Sequence, residues 1–224
     1  MEQYTIEDKK LTVCSDKEPV APVIYLNTVS EEAEEIYEIL KKITHTPFTL
    51  AAVSGLDWNF DMAPWDSPSA IKNGPACTGG ADKYLKFMAE KIIPEAEKSL
   101  FGGIAWRGIA GYSLAGLFSV YSLYCTGIFS RAASISGSLW YPGFKEYVFS
   151  REMKNKPDRM YFSLGNKESR TQNPYLRTVK ENTEEIQTYY KNKGINTIFQ
   201  MNPGGHYYNT AERTAAGIAW LLEG

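Results

Sequence analysis

Three polar residues of this chain have the types, order and company needed for nucleophilic acyl chemistry. Ser113 sits in "IAGYSLAGLF" (109–118), two residues after Gly111 and three before Gly116, with apolar runs on both sides. A hydroxyl attacks a carbonyl only when a base removes its proton and a third group orients that base. Of the two histidines, His45 lies in "ITHTPF", between a helical pattern and the next strand pattern, at what should be the far end of a sheet. His206 lies in "NPGGHYYN", directly after the last strand pattern, where Gly204 and Gly205 permit unusual φ angles beside the imidazole. The third group must be a carboxylate on a loop that follows a strand. Glu168 in "YFSLGNKESR" meets that condition, whereas Asp158 precedes the strand and Glu181, Glu184 and Glu185 fall within a helix. Asn166 occupies a neighbouring slot, so a serine–histidine pair stays open beside the Ser113–Glu168–His206 triad.

The elements that would position these groups alternate between strand and helix. "PVIYLN" (22–27) is the first strand read, and Ser30 then caps "SEEAEEIYEILKKI", where Ile36, Ile39 and Leu40 share a face. "FTLAAVSG" (48–55) is continuously apolar, as a strand buried on both faces should be. A long irregular segment, 56–80, follows, and then a helix over 81–100 that kinks or ends near Pro94. "RGIAGYS", "RAASISG", "DRMYFSLG" and "INTIFQMN" are strands, separated by helices over 114–125 and about 175–193, and "NTAERTAAGIAWLL" closes the pattern. Such alternation predicts an α/β protein with a mostly parallel central sheet flanked by helices, as one domain over 1–224 without a separate cap. Ligands of such sheets sit beyond the carboxyl ends of the strands. That places 56–80, Ser113, 137–143, 165–174 and 203–208 at one edge.

The serine, acid, histidine order is that of the α/β-hydrolase fold, in which the nucleophile occupies a sharp strand-to-helix turn. Gly111, Ala115 and Gly116 leave room for such a turn. The N–H of Leu114, at the start of the helix, is one candidate oxyanion donor, and Gly55 or Leu56 is the candidate for the second. Trp58, Trp65, Ser138 and Trp140 are candidate substrate-binding walls; the aromatic residues among them could equally be core.

Composition narrows the function classes. A net charge of −2 offers no basic stripe for nucleic acid. No stretch approaches the roughly 18 apolar residues of a membrane span. The start, "MEQYTIEDKK", has neither the basic nor the apolar region of a signal peptide, so the expected location is the cytoplasm. Cys14, Cys77 and Cys125 are an odd number without C-x-x-C spacing, which argues against a disulfide framework or structural zinc. No metal or organic cofactor is implied. The expected partner is a small-molecule ester, with at most weak self-association.

"RGIAGYSLAGLFSVYSL", "SISGSLWYPGF", "YFSLGNKESRTQNP" and "GGHYYNTAERTAAGIAWLL" together resemble the putative-esterase family of α/β-hydrolases, from about residue 22 to the C-terminus. That family includes enterobactin-type siderophore esterases, feruloyl and acetyl esterases, S-formylglutathione hydrolase and mycolyltransferases. In "DWNFDMAPW", Asp61, Ala63 and Pro64 are similar to a family pattern after the third strand. Phe60 stands where siderophore-hydrolysing relatives often carry an arginine, and Asn166 where the family often has Asp. The resemblance implies a serine carboxylic-ester hydrolase acting on a small or medium acyl ester. Its alternatives are a siderophore trilactone esterase, an acyltransferase using the same residues, and a catalytically silent binding module that keeps the fold.

Overall fold

The structure, a computed structural model, describes residues 1–70, 73–98, 100 and 102–223. The chain opens with an antiparallel hairpin, β1 (Glu2–Ile6) and β2 (Lys9–Ser15), turned by Glu7 and Asp8 with Glu7 at φ 55°. This pair precedes the first strand legible in the sequence, because its turn carries no Asn-Gly or Asp-Gly signal. β3 (Val20–Asn27) leads to α1 (Ala33–Ile43) and then to β4 (Thr49–Ser54), which is buried along its whole length. Ser30 does not cap α1. Glu32 occupies the cap position without a side-chain cap, and the Ser30 carbonyl instead accepts hydrogen bonds from the Thr28 hydroxyl (2.7 Å) and the Glu32 N–H (3.0 Å).

The irregular stretch contains one short helix, α2 (Trp58–Asp61), and a two-residue ladder, β5 (Asp66–Ser67) with β6 (Cys77–Thr78). Residues 71 and 72 of that stretch lie outside the described residues. The next helix runs as α3 (Ala81–Phe87), a π-turn at Met88–Ile92 and α4 (Ile93–Lys98). Pro94 has no N–H to offer its preceding turn, and the wide turn just before it absorbs the mismatch without ending the helix. The sequence pattern extends this helix to 100; residue 99 lies outside the described residues, and Leu100 is not helical.

The remaining strands and helices are β7 (Gly103–Tyr112), α5 (Leu114–Cys125), β8 (Arg131–Ile135), α6 (Phe144–Ser150), β9 (Arg159–Gly165), α7 (Val179–Asn192), β10 (Asn196–Asn202) and α8 (Thr210–Leu222). The eight long strands form one sheet in the order β1-β2-β4-β3-β7-β8-β9-β10, with β2 antiparallel to both its neighbours and β4, β3, β7, β8, β9 and β10 parallel to one another. This is the α/β-hydrolase arrangement. Ile36, Leu40, Ala215 and Ile218 of α1 and α8 build a core on one face. Tyr84, Leu117, Phe118, Val148 and Ile186 build the core on the other. Because the six strands run the same way, the loops after β4, β7, β8, β9 and β10 all emerge at one edge, and His45, before β4, falls at the opposite edge.

α8 lies close to the sheet because Gly217 faces it: a Cβ there would come 2.9 Å from both Ile135 Cγ1 and Tyr161 Cδ1. Overpacking of a core contact costs about 1–3 kcal/mol. In a chain of this size each kcal/mol lowers Tm by roughly 2–4 °C. Gly217→Val should therefore lower Tm by about 5 °C in a thermal melt followed by circular dichroism, whereas an unchanged midpoint would mean that α8 does not rest on β8 and β9.

Candidate active site

The turn between β7 and α5 puts Ser113 at φ 59°, ψ −121°. A residue with a Cβ pays on the order of 1–3 kcal/mol for such a backbone. Three hydrogen bonds hold it there: the Ser113 N–H donates to the Ile135 carbonyl (3.0 Å), and its carbonyl accepts from Leu117 N–H (3.1 Å) and Ser138 N–H (2.9 Å). The neighbours are small of necessity. A Cβ on Gly111 would lie 2.4 Å from the Ala115 carbonyl oxygen, and one on Gly116 2.9 Å from Gly137 Cα.

The imidazole of His206 lies over this turn. Its Nε2 is 3.0 Å from Ser113 Oγ, and its Nδ1 is 2.7 Å from Glu168 Oε2. The three groups thus form one hydrogen-bonded chain, drawn from the loops after β7, β9 and β10. Asn166, in the neighbouring slot, points elsewhere: its side-chain oxygen accepts from Gly204 N–H (3.1 Å) and its own N–H donates to the Asn202 carbonyl (2.8 Å). Asn166 therefore ties the two loops together and leaves the imidazole to Glu168.

Two residues absent from the sequence reading complete the surroundings of the carboxylate. Ser136, after β8, donates its hydroxyl to Glu168 Oε1 (2.9 Å), and Arg213, in the first turn of α8, donates Nη2 to the same oxygen (2.8 Å). The Gly165 N–H is a third donor to Oε1. Arg213 also donates Nη1 to the carbonyls of Gly205 (3.1 Å) and Tyr208 (3.3 Å), and Nη2 to Ser136 Oγ. Both ionic side chains are nearly closed to solvent, at 4% and 5% exposure. The hint in the sequence is an arginine within the largely small and apolar helical pattern of "TAERTAAGIAWLL". Tyr112 adds a hydrogen bond from its hydroxyl to the His206 carbonyl, and its ring lies 5.4 Å from the imidazole.

These groups open into a cleft of about 510 Å³. All five predicted loops reach it, through Trp58, Ser113, Trp140, Glu168 and His206 among others, and Leu176 and Val179 add the entrance to α7. Ser138 is buried with its Oγ 3.4 Å from Ser113 Oγ. Leu114 lines the cleft beside the serine. Gly55, Leu56 and Trp65 are not among the described residues that line the cleft. Gly55, at φ 74°, packs against the β1–β2 turn, where a Cβ would meet the Asp8 carbonyl at 3.0 Å. Leu56 packs against the core, so Trp58 and Asn59 are the cleft-lining residues nearest after β4. Trp65 is a packing residue: its indole N–H donates to the Pro142 carbonyl (3.0 Å), and its ring sits among Tyr121, Tyr141, Phe144 and Tyr147. Among the described residues no group of three or more His, Cys, Asp or Glu side chains is placed to hold a metal ion, and no helix is long and apolar enough to cross a membrane.

Burial by itself would raise the Glu168 carboxyl, but the hydrogen bonds from His206 and Arg213, the histidine charge and the Gly165 N–H hold it down at about 2. In the unfolded chain the same group titrates near 4.5. Between those values the unfolded state binds more protons, so the stability due to this carboxylate is complete above about pH 5 and is lost as pH falls toward 2. It is on the order of 3 kcal/mol. Glu168→Gln lacks this dependence, so urea midpoints of wild type and variant should converge as pH falls from 6 to 3. A constant gap would show that the carboxylate is not held ionised.

Comparison with known proteins bears on the family and the fold. The family described as "Putative esterase" matches residues 47–212. "Uncharacterized protein YbbA" of Bacillus subtilis is 27% identical over 144 residues, 60% of this chain and 55% of the relative, so the chain spans about half the length of that curated protein. "Siderophore hydrolase EstB" from Aspergillus nidulans superposes with a TM-score of 0.77 at 18% identity, over 97% of this chain and 93% of the other. An "IroE-like serine hydrolase" from Shewanella oneidensis does so with a TM-score of 0.74 at 17% identity, over 96% and 75%. The strand order, the Ser113 turn and the match over residues 47–212 together make this chain a member of the putative-esterase family.

Proposed function

We propose that the chain is a serine carboxylic-ester hydrolase in which Ser113 is the nucleophile, His206 the general base and Glu168 the acid that orients it. The observation that carries this reading is the unbroken Glu168–His206–Ser113 chain, at 2.7 and 3.0 Å, at the floor of an open cleft. Glu168 accepts a hydrogen bond from Nδ1–H, which fixes the tautomer with Nε2 free to take the proton of Ser113 as Oγ attacks the ester carbonyl. The oxyanion that forms is held by the Leu114 N–H and by a second N–H from the loop after β4, with Gly55 or Leu56 as its candidate source, each worth about 3–4 kcal/mol to the transition state. The imidazolium then passes its proton to the leaving alkoxide. Water, activated by the same imidazole, releases the acid from the acyl-serine and restores the hydroxyl.

The cleft argues for an uncharged substrate. Trp58, Trp140, Tyr141, Leu176, Val179 and Tyr207 give it largely apolar and aromatic walls, and no Lys, Arg or Asp is among its described lining residues. Its volume suits a small or medium acyl or aryl ester, and aromatic walls favour a planar group by about 0.5–1.5 kcal/mol per ring pair beyond area burial. A siderophore lactone is the second reading, favoured by structural neighbours named as siderophore hydrolases. An anionic catecholate would find no Lys or Arg among the described lining residues to receive it. An acyl transfer would use the same three residues with an alcohol in place of water, and competing alcohols added to the assay would reveal it as new ester. A silent binding module would have no need to keep serine, imidazole and carboxylate in register.

Ser113→Ala and His206→Ala should each abolish hydrolysis of p-nitrophenyl acetate, and a fluorophosphonate adduct should map to Ser113. Retained turnover in the serine variant would end this reading. Glu168→Gln should slow turnover by up to about 10⁴-fold; a loss under tenfold would leave a serine–histidine pair as the working unit. Across an ester panel, kcat/KM for a neutral phenyl or butyryl ester should exceed that for a succinate half-ester by at least about tenfold, the scale of one unfavourable charge contact. The reverse preference would exclude the apolar cleft as the acyl site.

A further inference from the structure

Arg213 is placed oddly for a structural residue. Its guanidinium is buried in the first turn of α8, beneath the cleft, and it spans both members of the acid–base pair. One nitrogen, Nη2, contacts Glu168 Oε1 and Ser136 Oγ, while the other, Nη1, holds the carbonyls of Gly205 and Tyr208, which bracket His206. A planar, permanently charged fork can serve a carboxylate and two carbonyls at once, which an ammonium on a flexible stem cannot do with the same geometry. Three donors on Oε1 also leave Oε2 as the oxygen that faces the imidazole.

The charge matters as much as the shape. With neutral His206 the Arg213–Glu168 pair sums to zero, and proton transfer from Ser113 takes the cluster to +1. The other polar groups around it are Tyr112 of β7, whose ring lies 5.5 Å from the guanidinium, Ser136 after β8, Tyr161 of β9, and Tyr207 beside the histidine. None of these carries a charge at neutral pH, and Glu212, next to Arg213 on α8, is exposed. Lys167 and Arg170, on the Glu168 loop, are exposed as well. Arg213 is therefore the buried cation that shares the carboxylate with the imidazole.

We propose that Arg213 is a positioning residue that fixes Glu168 against His206 and, by sharing the carboxylate's charge, extends ester hydrolysis toward acidic pH. The proposal rests on the hydrolase reading above. Without the cation the full carboxylate charge would favour the imidazolium, the histidine would hold a proton to higher pH, and the base would be lost earlier on acidification.

The test is the pH dependence of kcat/KM for p-nitrophenyl acetate in wild type, Arg213→Gln and Arg213→Lys, with folding checked by thermal melt. In Arg213→Gln the acid limb should move up by about one pH unit, with a lower plateau. Arg213→Lys keeps the charge and loses the fork, so its limb should stay near that of wild type while its plateau falls. A limb in Arg213→Gln that coincides with wild type, or one in Arg213→Lys that moves as far as in Arg213→Gln, would overturn the proposal. Should Arg213→Gln not fold, Glu168→Gln reads the same balance from the other side: Arg213 then faces the imidazole unopposed, and the residual activity should show a limb moved to lower pH. An unmoved limb there overturns the proposal too. Absence of Ser113-dependent turnover in wild type is a different result, because it removes the hydrolase reading itself.

Discussion

The site depends on one buried ionic contact, that of Glu168 with Arg213 on one oxygen and His206 on the other. A carboxylate at 5% exposure is tolerable only when its lone pairs are occupied and its charge is answered. The answer comes from four separate parts of the chain: Ser136 after β8, Gly165 at the end of β9, His206 after β10 and Arg213 on α8. Each contact satisfies a group and also locks one loop against another. The register of β8, β9 and β10 and the seat of α8 on the sheet therefore express themselves, in the end, as the orientation of one imidazole.

A second constraint is the backbone at Ser113. The turn is unfavourable in isolation, and it persists because β8 and its loop hold it through Ile135 and Ser138 while Gly111, Gly116 and Gly137 clear the space around it. A Cβ on Gly137 would come within bonding range of the Ser134 hydroxyl, so the small-residue requirement extends beyond the turn itself into the neighbouring loop. The Ser113 hydroxyl is in this way aimed by the sheet.

The far wall of the cleft is anchored by the N-terminal hairpin. Lys9 of β2 reaches Asp61 at 3.2 Å, both side chains being nearly closed to water, and Asp61 accepts the Asp57 N–H at 2.8 Å. That arrangement pins α2, and with it Trp58 and Asn59, at the cleft. The two antiparallel strands thus contribute to the cleft, although none of their residues lines it among those described.

The amino-acid sequence by itself determined the α/β alternation, the turn at Ser113 and the order of serine, acid and histidine. Those features are local: apolar runs, small residues beside a serine, and glycines beside a histidine are written within a few positions of each other. Only the tertiary structure decided the rest. Glu168 is the carboxylate legible on paper, with Asn166 in a neighbouring slot, and it takes the pairing of β9 with β10 to turn the first toward the imidazole and use the second as a tie between loops. Trp58 and Trp65 look alike as wall residues, yet the chain direction after α2 sends the second into the aromatic core. Arg213, 45 positions from the carboxylate it meets, left almost no local trace, because a buried ion pair is defined by two elements packing together and neither element announces its partner.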